Sequence, residues 1–461
     1  MNRDEEARWS VILLSALLAM GPLPMASGMA DGATESLEDR IARLERAQQQ
    51  AAADNGSSNG NLRARYDGGF ILEQVDPSNS GNSFLLKQNT RFQFRYSHFS
   101  SDGANPDENN FEIERIRPKF TGHTFWPHFT YELQLDIDND DADRVELYNA
   151  FLRYDFSAPK GWTHEVALKM GLWKMPLFRQ EYTSDGRQMM VDRSMANEFF
   201  NIDHSVGIGL EGEVTTGSLP FWWHLVVLNG FDTDHRTPGR TGQLDRNFAY
   251  VVRWYSDLMG EWGKDEESDL SFHESPAIRA GLSAGYSDVQ VTGGLDSSGN
   301  PTTGEQRAFR TTDGGTQLIT LAPTLTDFTV WLYGADLGFK YRGLSVVSEL
   351  YVREIVDAVG AVVPDLFDYG YYVQAGYFVV PGKVELTSRY SQIVGDSGSL
   401  GGDKASADEW GGGFNYYIKK HNLKIQCDVL SYNGSPVGSS SAQLIPGDTG
   451  ILGRIQAQWA Y

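Results

Sequence analysis

Lys169–Phe200 reads KMGLWKMPLFRQEYTSDGRQMMVDRSMANEFF. It begins as an alternating strand, with Val166, Leu168, Met170 and Leu172 opposed to Lys169. Period-two alternation of this kind marks a strand with two different faces. Pro176 ends it, and residues 175–203 repeat no period. They carry Arg179, Arg187 and Arg193 together with Glu181, Asp185, Asp192 and Glu198. Alternation resumes at Val206, Ile208 and Leu210. A polar insert this long is either an exposed loop or a functional one. Between two strands of this type we read it as folded into a pore.

The same alternation recurs from Tyr66 to the end. Phe92, Phe94 and Tyr96 oppose Arg91, Gln93 and Arg95, and Tyr131, Leu133, Leu135 and Ile137 oppose Glu132, Gln134, Asp136 and Asp138. Leu423, Ile425, Cys427 and Val429 oppose Lys424, Gln426 and Asp428. In the last strand Ile455, Ala457, Trp459 and Tyr461 oppose Arg454, Gln456 and Gln458, and the chain stops on an aromatic residue. One face is aromatic and aliphatic and the other is charged, so both cannot be core. A soluble sandwich would bury its second face. In a barrel spanning a membrane the charged face lines water.

Counting gives an all-β, antiparallel transmembrane barrel of about 16 strands, with one further extended segment near Phe70–Gln74. Short turns such as Arg342-Gly343, Pro381-Gly382 and 419–422 fall on one side. Inserts at 100–110, 175–203, 231–246, 287–325, 355–369 and 393–407 fall on the other. That asymmetry is characteristic of outer-membrane barrels.

Ahead of the barrel, Val11–Met20 is an apolar run of signal-peptide length, and Gly28-Met29-Ala30 fits a cleavage site. Residues 1–30 therefore read as an export signal. Residues 31–50 read as a short coiled-coil helix, because Leu37, Ile41 and Leu44 repeat at four and three residues. A lone amphipathic helix is the alternative. Residues 51–65 read as a flexible linker, and 66–461 as the barrel.

The net charge is −22, which argues against nucleic acid as a partner. One cysteine, Cys427, excludes an intrachain disulfide. The nine histidines are scattered and no HExxH is present, so neither an enzyme nor a cofactor is expected. Phe111–Phe120, FEIERIRPKF, sets Arg115, Arg117 and Lys119 at spacing two, hence on one side, with Ile116, Pro118 and Phe120 on the other. A cationic ladder on a lumen wall lowers the barrier for anions. Glu132, Asp136 and Asp138 on the adjoining strand are equally placed to neutralise it, and acids near Arg179, Arg187 and Arg193 are placed to do the same.

Gly171-Leu172-Trp173-Lys174-Met175-Pro176-Leu177, followed by Glu181, Thr183-Ser184 and Asp192-Arg193-Ser194-Met195, resembles the most characteristic segment of the phosphate-selective porin O and P family. Gly207, Gly209 and Asn149–Tyr154 extend the likeness. Leu172, Trp173, Phe178 and Asp192 depart from the family pattern, the first in place of Gln and the last in place of Glu. The resemblance implies a trimeric outer-membrane porin of 16 strands, with the loop from Met175 folded inward. It implies passive diffusion of small anions such as phosphate, or of other small hydrophilic solutes. By parity and loop position, the candidates for lining the pore and guiding anions are Arg91, Arg95, Arg115, Arg117, Lys119, Lys169, Lys174, Arg179, Arg187 and Arg193. Expected partners are outer-membrane lipid, the solutes and two further copies of the chain. Rival readings are a cation- or neutral-solute porin with paired arginines, and an envelope-tethering barrel that binds through its helix and outer loops.

Overall fold

The computed structural model describes residues 62–74, 81–103, 106–137, 145–216, 219–231, 247–290, 309–312, 318–397, 405–437 and 446–461. The export signal, the coiled-coil segment and linker residues 51–61 lie outside them. Eighteen strands form one sheet. They are β1 (Leu62–Tyr66), β2 (Phe70–Gln74), β3 (Ser83–Ser101), β4 (Glu108–Phe125), β5 (Phe129–Ile137), β6 (Val145–Asp155), β7 (Glu165–Lys174), β8 (His204–Thr216) and β9 (Leu219–Leu228). There follow β10 (Ala249–Met259), β11 (Ala277–Gln290), β12 (Asp327–Tyr341), β13 (Leu344–Val359), β14 (Leu366–Val380), β15 (Val384–Gly395), β16 (Ala405–Lys419), β17 (Leu423–Asn433) and β18 (Gly450–Ala460).

Sequential strands pair antiparallel, and β18 pairs back onto β3, from Gly450↔Ser101 to Ala460↔Arg91. Strands β3 to β18 thus make a closed 16-strand barrel with no edge left in lipid. The lower half of β3, Phe84–Gln88, is free of β18 and pairs instead with β2, which in turn pairs with β1. Residues 62–65 therefore belong to a strand, not to the linker in which their sequence placed them. Their ladder partners on β2 supply what composition alone does not show. The C-terminus is tied to this junction. Tyr461 N donates to Thr90 O at 3.2 Å, and Tyr461 O accepts from Asn89 Nδ2 at 2.8 Å.

Alternation fixes which side chains face lipid. Phe94, Leu133, Leu152, Met170, Ile208, Leu282, Val373, Trp410, Ile455 and Trp459 are exposed on the outer surface, while Gln93, Arg95, Lys424, Gln426, Gln456 and Gln458 are buried inside. Six register shifts interrupt the ladders of the described strands, and two of them bear on the site. In β4, Gln93 pairs with Arg115 and Phe94 with Ile113, so Glu114 is the extra residue. In β6, Gln134 pairs with Asn149 and Leu135 with Leu147, so Tyr148 is the extra residue. Bulges re-aim side chains, and both of these sit at the level of the constriction.

The lumen is not uniformly wet. Leu177, Phe178, Met190, Phe199 and Phe200 of the 175–203 loop form one buried cluster with Val330, Leu332, Tyr351, Ile355, Tyr372 and Ile393 of the β12–β15 wall. The expectation that the inward face lines water throughout is corrected here. On this side of the barrel the inward face carries apolar residues because a loop packs against it.

Candidate functional site

The 175–203 loop begins where β7 ends. Gly171, three residues before that end, has φ 132°, and a Cβ there would collide with the Ala150 carbonyl. The loop forms two short helices, α1 (Arg179–Tyr182) and α2 (Met195–Phe200). Ser194 caps α2, its hydroxyl accepting from Asn197 N at 3.1 Å.

Many of the loop's backbone polar groups bond to the barrel wall. Gln180 N donates to Glu349 at 3.0 Å, Val191 N to Asp428 at 3.1 Å and Met195 N to Glu409 at 3.2 Å. In return Leu177 O accepts from Arg253 at 3.1 Å, Gln188 O from Lys424 at 3.2 Å, Met189 O from Asn415 at 2.8 Å and Asp192 O from Arg389 at 2.7 Å. A buried loop needs such partners for its peptide groups, and here inward-facing carboxylates, amides and cations supply them.

The opposite wall is cationic, and the loop's acids face it. Asp185 is the hub. Its carboxylate meets Arg91 at 3.2 Å, Lys174 at 3.4 Å and Arg115 at 3.9 Å, contacts Arg117 and Arg193 more closely, and accepts from Tyr148 Oη at 3.2 Å. Burial works to raise the Asp185 carboxyl, but Arg193, Lys174 and Arg117 hold it well below the usual carboxylate range. Asp192 is a second hub, with Arg95 at 3.2 Å, Arg454 at 3.8 Å and Arg115 at 3.9 Å.

Each sequence-predicted cation therefore has a place. Arg91, Arg95, Arg115, Arg117, Lys174 and Arg193 converge on the loop acids, with Glu114 2.9 Å from Arg115 and Glu181 2.8 Å from Lys174. Lys119 pairs with Glu132 at 2.6 Å. Lys169 lies over the Phe151 ring at 4.1 Å, with Glu211 at 4.0 Å. Arg179 stands apart from these, buried and stacked 4.8 Å from the Trp262 ring. Arg187 is exposed, and its polar contact is Asp265 O at 3.4 Å.

Between the loop's underside and the short-turn end lies a cavity of about 570 Å³. Its walls carry Lys87, Arg91, Arg117, Lys119, Lys169, Lys174 and Arg187 against the carboxylates Glu132 and Asp185. Seven basic side chains against two acids give it a positive excess. Tyr148, Phe151, Trp173 and Tyr182 add aromatic rings to the lining, and most of the lining comes from β3–β7, so the open path hugs that wall. Lys87 escaped the sequence reading, although it shares the parity of Arg91 and Arg95. Tyr148 escaped it because a bulge residue obeys no parity.

The family model for phosphate-selective porin O and P matches residues 86–249 and 315–459. The chain belongs to that family. It is accordingly a β-barrel of the bacterial outer membrane. Among solved structures, OmpT of Vibrio cholerae is similar at 10% identity, with TM-score 0.51 over 82% of this chain and 98% of that one. An anion-selective porin from Comamonas acidovorans is similar at 11% identity, with TM-score 0.50 over 82% of this chain and all of that one. These likenesses concern the fold. An uncharacterized protein of Aquifex aeolicus is 26% identical over 285 residues, a match that spans 58% of this chain and 60% of that protein. Within the family motif, the two bulky departures are accounted for. Both are buried: Trp173 borders the cavity, with Lys169 5.2 Å from its ring, while Phe178 packs edge-on to Tyr351 at 4.8 Å and is not part of the lining.

Proposed function

We propose that this protein is a passive diffusion channel for small anions and other small hydrophilic solutes. The observation that carries the reading is the cavity beneath the loop, lined by seven basic side chains and two carboxylates. Solute moves down its gradient along the β3–β7 wall. A positive excess inside low-dielectric walls raises the local anion concentration. Lys87, Lys169 and Arg187 are the cations that act most directly on a passing ion, since Asp185, Asp192 and Glu181 already engage the deeper arginines. The deeper set, Arg91, Arg95, Arg115, Arg117, Lys174 and Arg193, then serves chiefly to hold the loop. Inorganic phosphate is one solute this lining suits, as a dianion that needs no site of its own. A homotrimer is the assembly we propose, on the family likeness.

The pairing of the deeper cations favours a second reading, a general porin with little charge preference. One experiment separates the two. The purified protein in a planar bilayer, under a tenfold KCl gradient, gives a zero-current potential, and phosphate is then added to one side. Anion preference that phosphate reduces supports the first reading. A potential near zero leaves the general porin. Cation preference overturns the role given to the cavity, and a silent bilayer overturns the channel itself.

A further inference from the structure

At the short-turn end most connections are brief, as at Arg342-Gly343 and Pro381–Lys383. Among the described residues, the connection from Gly260 to Pro276 is the longest at this end. Its sequence, GEWGKDEESDLSFHESP, is acidic and reads as an exposed turn. Instead Trp262, Glu267, Ser268 and Asp269 are all 2% exposed or less.

The segment is fixed to the wall at several points. Lys340 Nζ donates to Glu266 O at 2.9 Å, Ser268 Oγ to Glu385 at 2.9 Å and Gly343 N to Asp269 at 2.8 Å. Trp262 lies between Lys340, 4.1 Å from its ring, and Arg179, at 4.8 Å. It is also fixed to the 175–203 loop. The Glu267 carboxylate accepts from Met189 N at 2.7 Å, from Gln180 Nε2 at 3.3 Å and from Gln374 Nε2 at 2.8 Å. Glu267 N donates to Arg187 O at 3.3 Å, and Asp265 O accepts from the Arg187 guanidinium at 3.4 Å.

We infer that the 260–276 turn is the second half of the constriction, and that Glu267 is its positioning residue, setting the height at which Arg187 faces the cavity. The loop descends from one end of the barrel and the turn rises from the other. They meet at Arg187–Met189. The turn fills the side of the lumen away from the β3–β7 wall and so narrows the path to one side. This inference rests on the reading of the cavity as an anion path.

The test uses two variants of the full-length protein. Glu267→Asp keeps the charge but withdraws the carboxylate from Met189 N and Gln180. The zero-current potential of this variant should fall toward zero. In an Arg187→Gln background the same change should add nothing, because coupled residues are non-additive. An equal fall in both backgrounds would overturn the positioning role. The second variant replaces Lys264–Phe272 with two glycines and is read in 1 M KCl, where charge effects are screened to about 3 Å. Its single-channel conductance should rise about twofold, since the filled part of a lumen carries no current. Unchanged conductance from a folded, heat-modifiable barrel would overturn the inference even if Glu267→Asp fails to fold. A wild-type protein that does not conduct at all would instead count against the channel reading.

Discussion

Asp185→Asn removes one charge from the centre of the cationic wall and keeps the side chain's shape. In the wild-type protein this carboxylate is faced by Arg91, Arg115, Arg117, Lys174 and Arg193. Two effects follow. Leaving buried cations without their counter-charge costs about 3–5 kcal/mol, much of it local to the loop. The second effect is on permeation. For an ion passing about 7 Å from the missing charge in a water-like dielectric, the change is about 0.6 kcal/mol. That raises anion occupancy by roughly threefold and lowers cation occupancy by the same factor, at 1.4 kcal/mol per decade. The anion-to-cation permeability ratio should therefore rise by about sevenfold at low salt, and by much less in 1 M salt, where the Debye length is about 3 Å. Zero-current potentials at two ionic strengths measure this. A folded Asp185→Asn channel with an unchanged potential at low salt would show that Asp185 does not border the path, and would refute the reasoning.

Arg187→Gln and Lys87→Gln should each lower anion occupancy about two- to threefold, and the anion-to-cation permeability ratio by up to about sevenfold, by the same arithmetic, with stability unchanged within about 0.5 kcal/mol; reversal potentials and thermal melts check both. Phe178→Ala should cost about 3–5 kcal/mol by leaving a cavity against Tyr351, and should appear as flicker between conductance levels rather than as a new selectivity; a quiet channel would mean the apolar cluster does not hold the loop. Acid should act at the two ends differently. The depressed Asp185 carboxyl contributes stability that is present above its unfolded value of about 4 and lost only as pH falls well below it. The loop anchor should therefore survive at pH 4. His421, in the turn between β16 and β17, is pushed down to about 4 by burial and by Lys424. Its neutral state costs stability as pH falls from about 6.5 to 4, because only the unfolded chain takes up the proton. Hydrogen exchange should show the short-turn end loosening over that window, and His421→Gln should abolish the change.

Much of this was legible in the sequence. The terminal strand and the lateral alternation specify a closed barrel, and the family motif at Gly171–Leu177 marks the loop. Even the β4 bulge is written in FEIERIRPKF, where apolar residues move from odd positions, Phe111 and Ile113, to even ones, Ile116, Pro118 and Phe120. The filled half of the lumen also left a trace. In β12 both faces are apolar, with Phe328, Val330 and Leu332 buried and Trp331 and Tyr333 turned outward. A strand with two apolar faces is packed on both. Counter-ions were not legible. Asp185 lies far along the chain from Arg91 and Arg117, and which acid reaches which arginine is set by the path of the loop. The 260–276 turn was not legible for a different reason. Its carboxylates look like solvated charge, but they are buried because they accept backbone and amide hydrogen bonds, as Glu267 does from Met189 and Gln374. Composition does not distinguish a solvated carboxylate from a fully hydrogen-bonded one.

The central claim is that conduction follows the β3–β7 wall while the rest of the lumen is filled. Single cysteines in a Cys427→Ser background test it, with a negatively charged thiosulfonate reagent added to a conducting bilayer. Asn149 borders the cavity and Gln374 is fully buried beside Glu267. The account predicts that Asn149→Cys reacts, with a stepwise loss of current and of anion preference, and that Gln374→Cys stays silent. Rapid block at position 374 with none at 149 would contradict it.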